Sequence, residues 1–157
     1  MTVKLDGSKA KLISEDPMVI ENPKTWSHYH TYGGWGKFFK GLQQGKLLAT
    51  RCSNPNCSEK RLLLPPRADC MDCWHPMEWV EIPPVGKIYT FSEITYPGAL
   101  FRAEPPVYLI SVEIDNVCTK LMSYLREGKP EFGMPIKAWF NTEDPTNTIL
   151  DLAWVPA

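Results

Sequence analysis

Two closely spaced cysteine pairs are the residues of this 157-residue chain best suited to chemistry. Cys52 and Cys57 have C-x4-C spacing, Cys70 and Cys73 have C-x2-C spacing, and twelve residues separate the pairs. Two such pairs facing each other supply four thiolates in the tetrahedral arrangement that a structural zinc ion requires. We therefore predict that these four cysteines bind one structural Zn²⁺.

Two other interpretations of the cysteines are two disulfides or four unrelated buried thiols. No secretory signal opens the sequence, and disulfides are rare in the cytosol, so we favour zinc and expect a cytoplasmic protein. His75 lies just beyond Cys73, but four cysteines already complete a closed tetrahedral site. The fifth cysteine, Cys118, is expected to be a small buried residue within a strand.

Composition and charge place the chain among ordinary globular proteins. It is 43% hydrophobic and carries a net charge of −1, which fits one domain or two small ones and by itself indicates neither a nucleic-acid nor a membrane-surface protein. Its apolar runs are only a few residues long, so we expect no bilayer span.

The N-terminal third is expected to contain an arm and helices (residues 1–46). The first 23 residues lack periodicity and predict an extended, partly ordered arm. An apolar stripe with i, i+3, i+4, i+7 spacing predicts an amphipathic helix ending near Gly45; it comprises Trp35, Phe38, Phe39 and Leu42. A second helical piece is suggested by Trp26, Tyr29 and Tyr32.

The rest of the chain predicts a mainly β protein. Short strands at 47–50, 61–64 and 79–81 surround the cysteines and indicate a zinc ribbon over 47–82. Beyond Pro83-Pro84, five strands are predicted, at 86–95, 107–114, 118–125, 136–141 and 149–155. Five strands without strong helical patterns between them fit a small closed barrel, the OB fold, over 83–157. Residues 96–106 would form its long first loop.

Five sequence blocks, in order from about residue 35 to the end, resemble one family. They are FFKGLQQGKLLATRC, LPPRADCMDCW, VGKIYTFS, PPVYLISVEID and FGMPIKAWF. Together they are similar to the acyl-CoA-associated proteins built from a rubredoxin-like zinc ribbon and an OB fold. The C-x4-C pair departs from the C-x2-C that this family usually has, which implies a looser first knuckle.

The resemblance implies a non-catalytic companion of enzymes that process acyl-CoA thioesters. Some members look like bridges that hold an acetoacetyl-CoA thiolase beside 3-hydroxy-3-methylglutaryl-CoA (HMG-CoA) synthase. Others resemble subunits of thiolases or hydratases that shape an acyl-CoA pocket. Consistent with a companion role, the sequence has no G-x-S-x-G or H-E-x-x-H motif, and its three histidines have no interpretable nucleophile nearby.

A basic segment offers a place for coenzyme A. Residues 37–67 contain seven Lys and Arg residues and a single acid, Glu59. Lys37, Lys40 and Arg67 are candidates to bind the phosphates of coenzyme A or an acyl-CoA. Alternatively, these are solvated charges, with Arg67 offsetting the negative charge of a zinc tetrathiolate.

The helix aromatics Trp35, Phe38 and Phe39 are candidates for docking on a partner. With Trp26, they could instead form the wall of a ligand groove, or they could simply pack the helix onto the barrel.

A nucleic-acid-binding module is the rival function, since zinc ribbons and OB folds both serve it. From Glu81 onward, however, the sequence has six basic and ten acidic residues. This net charge of −4 suits a phosphate backbone poorly.

Overall fold

The computed structural model describes residues 10–22, 27–96 and 106–157 and divides the chain into two compact units, 1–31 and 32–157. In the first unit, strands β1 (Lys11–Glu15) and β2 (Met18–Glu21) form an antiparallel hairpin. The expected extended arm is therefore paired, and its turn falls at Asp16-Pro17.

The second helical piece predicted from Trp26, Tyr29 and Tyr32 is wrong for the two tyrosines. Tyr29 and Tyr32 lie in a stretch, 27–32, that has no helical structure, and Trp26 lies outside the described residues. A spacing of three over so few residues does not overcome the cost of starting a helix.

Helix α1 (Gly36–Gln43) follows a 3-10 turn over Gly33–Trp35 and confirms the amphipathic stripe. Its end is a Schellman motif, because the Gly45 N–H donates to Leu42 O at 3.0 Å and the Lys46 N–H donates to Gly41 O at 2.9 Å. Gly45 adopts φ +70°, which glycine tolerates without strain. In the part of the chain that the structure describes, no helix is long and apolar enough to cross a membrane.

The ribbon strands form a three-stranded antiparallel sheet of order β4-β3-β5. They are β3 (Leu47–Cys52), β4 (Leu62–Leu63) and β5 (Met77–Ile82). All three predicted ribbon strands are therefore present, with β5 starting two residues earlier than the sequence indicated.

The five C-terminal strands close into a barrel of order β10-β8-β7-β6-β9. They are β6 (Val85–Ile94), β7 (Val107–Glu113), β8 (Leu121–Leu125), β9 (Pro135–Phe140) and β10 (Leu152–Pro156). The pair β8 and β10 is parallel and the other pairs are antiparallel. This is the five-stranded OB arrangement that the sequence predicts.

Cys118 departs from its predicted environment. It is exposed and lies in the turn before β8, which begins only at Leu121. The strand predicted over 118–125 begins too early because Val117 and Cys118 are apolar, as the first residues of a strand often are. In the structure the Val117 N–H donates to Ile114 O and closes a turn instead. Most of the predicted 96–106 loop lies outside the described residues.

The helix, the ribbon and the barrel share one hydrophobic core. Leu42 of α1, Leu64 beside β4 and Trp154 of β10 are all fully buried members of it. A strand of the ribbon also bonds to the barrel, since the Cys118 N–H donates to Leu62 O at 3.0 Å. The 32–157 unit is therefore held together by both apolar burial and backbone hydrogen bonds.

We predict that Gly86→Ala destabilises the protein. A Cβ at Gly86 would lie 2.6 Å from the Glu113 carbonyl oxygen, a backbone atom that cannot rotate away. Overpacking of this kind costs about 1–3 kcal/mol of unfolding free energy, measurable by chemical denaturation. Gly36→Ala is the control, since a Cβ there meets nothing within 4 Å and alanine favours a helix. Equal stability of both variants would contradict the prediction.

Candidate metal centre and adjoining grooves

The four predicted cysteine ligands come together in the structure. Cys52 ends β3, Cys57 follows a turn, and Cys70 and Cys73 bracket a second turn before β5. Their sulfur atoms all lie within 4.8 Å of one another. Among the residues with described positions, this is the one cluster of His, Cys, Asp and Glu side chains suited to a metal ion.

The sulfur separations fit a tetrahedral zinc site. The Cys52 and Cys73 Sγ atoms are 3.6 Å apart, and those of Cys57 and Cys70 are 4.0 Å apart. Four sulfurs about 2.3 Å from one zinc ion would be separated by about 3.8 Å, whereas a disulfide requires about 2.05 Å. The geometry therefore favours a shared metal ion over disulfides or unrelated thiols.

Each cysteine pair sits in a turn closed by backbone hydrogen bonds. The Cys57 N–H donates to Asn54 O at 3.1 Å, and the Cys70 N–H donates to His75 O at 2.9 Å. Within these turns the backbone of Asn54 hydrogen-bonds to the Cys52 sulfur and that of His75 to the Cys73 sulfur, which favours the thiolate forms. His75 thus contributes through its backbone, and its imidazole is not part of the cluster.

Burial raises the pKa of the cysteine thiols, whereas hydrogen bonds from the backbone to the sulfurs lower it. A hydrogen bond from the His75 backbone lowers the pKa of Cys73 to about 7. Burial raises the pKa of Cys52 to about 12, because a charged thiolate loses hydration there. A bound cation would offset that cost at Cys52, since a metal ion binds the deprotonated thiol.

Arg61 also joins the two cysteine turns, or knuckles, which carry Cys52 with Cys57 and Cys70 with Cys73. Its Nε lies 2.7 Å from Asp72 Oδ2, and a second nitrogen lies 3.3 Å from Glu59. The Asp72 hydrogen bond raises the pKa of Arg61. The guanidinium that the structure ties to the knuckles is therefore that of Arg61, not Arg67.

A groove of about 420 Å³ lies where the helix, the ribbon and the barrel meet. We call it the aromatic groove, and it is lined by Trp35, Phe38, Phe39, Pro65, Pro66, Arg67 and Thr119. A second groove of about 260 Å³, the ribbon groove, is lined by Gly34, Trp35, Arg67, Ala68, Met77 and Trp79. Trp35 and Arg67 line both, so the two grooves adjoin at these side chains.

The predicted aromatic residues occupy different positions in this region. Trp35 is 38% exposed, whereas Phe38 is 4% exposed and belongs to the core. Phe39 is half-buried and stacks on the Tyr32 ring, with centroids 3.9 Å apart. Trp35 and Phe39 therefore present the accessible aromatic surface, while Phe38 mainly packs the helix onto the core.

The three predicted phosphate-binding residues are not equally placed. Arg67 is exposed and lines both grooves, and its backbone N–H is fixed by a 2.8 Å hydrogen bond to Thr50 Oγ1. Lys37 Nζ lies 5.5 Å from the centre of the Trp79 ring, beside the ribbon groove. Lys40 is exposed and lines neither groove.

Some cations of the basic segment 37–67 form ion pairs in the structure and others do not. Lys46 pairs with Glu81 at 3.2 Å, and Arg61 pairs with Glu59 and Asp72. Within residues 10–22, 27–96 and 106–157, no carboxylate forms an ion pair with Lys37, Lys40 or Arg67.

Sequence reasoning missed several residues of the grooves. Pro65 and Pro66 belong to the LPPR run and could have been noticed, because a double proline makes a rigid apolar edge. Thr119 had no such signal. It is brought in from the barrel, where its Oγ1 donates to Leu64 O at 2.6 Å and accepts from the Leu64 N–H at 3.1 Å.

Comparison with known proteins supports the fold and the resemblance. Residues 79–141 match the family model described as ChsH2, C-terminal OB-fold domain. This confirms the predicted resemblance to an acyl-CoA-associated zinc-ribbon and OB-fold family in the OB-fold part of the chain. Curated proteins gave no match.

Two solved structures resemble the fold over about four fifths of this chain. A chain of the Ltp2-ChsH2 (DUF35) aldolase has a TM-score of 0.66 and 24% identity, over 82% of this chain and 98% of its own length. A DUF35-family protein of unknown function from Sulfolobus solfataricus has a TM-score of 0.58 and 25% identity, over 80% of this chain and 87% of its own.

We predict that the purified protein carries one zinc ion per chain and that Cys70→Ser loses it. A missing thiolate opens the tetrahedron and removes metal-binding free energy that also stabilises the ribbon. Metal analysis combined with thermal unfolding is the measurement. Cys118→Ser serves as the control, because Cys118 lies outside the cluster. Full metal content in Cys70→Ser, or a ribbon that stays folded in chelator without metal, would contradict the prediction.

Proposed function

We propose that this protein is a non-catalytic, zinc-binding accessory protein of an enzyme that acts on acyl-CoA thioesters. The observation that carries the proposal is the pair of adjoining grooves, in which an exposed guanidinium, Arg67, meets apolar and aromatic walls. The ligand it would receive is the coenzyme A part of an acyl-CoA.

The chemistry of coenzyme A suits this combination of surfaces. Its phosphates need cations that are not already neutralised, and Arg67 and Lys37 have no ion-pair partner among the residues described. A guanidinium can bind a phosphate through two parallel hydrogen bonds. The pantetheine arm is less polar and would lie along Trp35, Pro65 and Pro66, since ligand pockets of this size are mostly apolar with a few convergent polar groups.

The candidate metal centre supports a structural role. Four cysteines fill the coordination of a tetrahedral zinc ion and leave no position for a reactive water. The ion would supply folding energy to the cysteine end of the ribbon, because Cys52, Cys57 and Cys70 form a small cluster separate from the shared core. In this proposal the partner enzyme supplies the catalytic residues.

The proposal also names the partner enzymes. We propose a thiolase, with an HMG-CoA-synthase-type condensing enzyme as the second enzyme bridged. Bridging would let the product of an unfavourable thiolase step pass directly to the next enzyme. The similarity to a chain of the Ltp2-ChsH2 aldolase supports a companion role with an enzyme, and it equally fits a simpler subunit that helps a single enzyme shape its acyl-CoA pocket.

Arg67→Ala should weaken coenzyme A binding about tenfold or more, because a hydrogen bond to a charged group contributes roughly 1.5–3 kcal/mol. The dissociation constant, measured by calorimetry at two salt concentrations, checks this. Lys46→Ala is the matched control, since Lys46 is already paired with Glu81, and it should change the constant less than about twofold. No coenzyme A binding by the wild-type protein, together with tight and salt-sensitive binding to single-stranded DNA, would favour the nucleic-acid alternative.

Trp35→Ala should reduce co-purification with the partner thiolase by more than tenfold. Truncating an aromatic interface anchor typically costs about 2 kcal/mol or more. The control is Trp74→Ala, which removes a tryptophan that is 79% exposed and lies outside both grooves. Pull-downs with thiolase and condensing enzyme, with and without coenzyme A, give the readout. Equal retention of both enzymes by the two variants would rule out Trp35 as an anchor of the docking surface.

A further inference from the structure

Asn147, in the barrel loop between β9 and β10, makes two hydrogen bonds to the helical region. The Tyr32 hydroxyl donates to the Asn147 carbonyl oxygen at 2.9 Å. The Gln43 Nε2 donates to Asn147 Oδ1 at 2.7 Å. One residue of the barrel thus holds both the last residue of α1 and the aromatic ring that precedes the 3-10 turn.

The Tyr32 ring connects this contact to the aromatic groove. It stacks on Phe39 with the ring centroids 3.9 Å apart and the planes 22° apart. Phe39 in turn lines the groove. A shift of Asn147 would therefore displace the Tyr32 hydroxyl and, through the stacked rings, the groove wall.

The loop that carries Asn147 is itself anchored by a buried carboxylate. Asp151 is 1% exposed, and its Oδ1 accepts hydrogen bonds from the Thr146 N–H at 2.7 Å and from Thr146 Oγ1 at 2.8 Å. A longer contact of 3.4 Å comes from Asn141 Nδ2. Burying a carboxylate is costly unless it is hydrogen-bonded, so these bonds tie Asn141 and Thr146 to Asp151 and restrain the loop next to Asn147.

The backbone at Asn147 also requires a special residue. It adopts φ +59°, a left-handed conformation that asparagine and aspartate tolerate better than other non-glycine residues. In OB folds the corresponding loop between the last two strands is a common site of ligand contact. Here its tip faces the helix.

We infer that Asn147 is a positioning residue for the aromatic groove, and that Asp151 holds the loop in the geometry that Asn147 needs. The barrel loop thereby sets the position of Phe39 and of helix α1 relative to the Pro65 and Arg67 side of the groove. The identity of the ligand, coenzyme A, rests on the proposed function, whereas the positioning rests on the hydrogen bonds and the ring stack.

The test compares three variants by hydrogen exchange of the α1 amides and by coenzyme A affinity. Asn147→Ala removes the acceptor for Gln43 and the residue type favoured at positive φ. Asn147→Asp keeps an acceptor oxygen and tolerates the same φ. Asn116→Ala is the matched control, because Asn116 also adopts a positive φ, of +63°, in a different barrel turn.

Asn147→Ala should speed exchange of the α1 amides roughly fivefold or more, since each hydrogen bond contributes about 1 kcal/mol to the closed state. Asn147→Ala keeps the carbonyl oxygen that accepts from Tyr32, but alanine is strained at φ +59°. The carbonyl should therefore shift with the backbone, displace the Tyr32 ring and weaken coenzyme A binding by a similar factor. Asn147→Asp should restore both to within about twofold of the wild-type protein. Asn116→Ala should leave α1 exchange unchanged.

Two outcomes separate the inference from the proposed function. In the first outcome, the wild-type protein binds no coenzyme A, but Asn147→Ala speeds α1 exchange and Asn147→Asp restores it. The positioning role of Asn147 is then supported, and coenzyme A is not the ligand. If α1 exchange is the same in Asn147→Ala and Asn116→Ala, or if Asn147→Asp does not restore it, the positioning role is overturned.

Discussion

The seam between the ribbon and the barrel is the interaction on which the rest of the structure depends. Leu62, Leu63 and Leu64 are all buried there, and the backbone of this run bonds both to β3 and to the 118–119 turn of the barrel. A two-residue strand has too few hydrogen bonds to hold a position by itself. Its apolar burial and the Thr119 hydroxyl together fix how the ribbon sheet lies against the barrel.

The candidate metal centre and the grooves are connected through the same segment. Pro65, Pro66 and Arg67 follow the seam directly and lead to Cys70. One end of this stretch is held by the barrel through Thr119, and the other by the cysteine cluster. The Thr50 hydroxyl adds a third restraint at the Arg67 backbone. Metal binding would therefore help to hold Arg67, the proposed phosphate-binding residue, in place without contact between the ion and the ligand.

Electrostatic pairing decides which charges remain available for a ligand. The sequence presents seven basic residues over 37–67 as one positive segment. In the folded chain, Arg61 is committed to Glu59 and Asp72, and Lys46 to Glu81. Exposed pairs of this kind contribute little stability, but they neutralise the cations they use. The positive surface is consequently narrower than the sequence indicates, and of the cations without an ion pair among the described residues only Arg67 lines the two grooves.

The sequence by itself determined the features whose signals are local. The cysteine spacing identified all four members of the cluster, the i, i+3, i+4, i+7 stripe identified α1, and five apolar runs identified the barrel strands. The local pattern gave a wrong prediction at Cys118, because the apolar residues at the end of a turn there resemble the start of a strand. Tertiary structure alone decided which distant residues meet. Thr119 reaches Leu64 across 55 residues, and Asn147 reaches Gln43 across 104 and Tyr32 across 115. No local periodicity records such contacts, because they depend on closing the barrel and seating the helix on the shared core, so the groove's far wall and its supporting loop could not be found from the sequence.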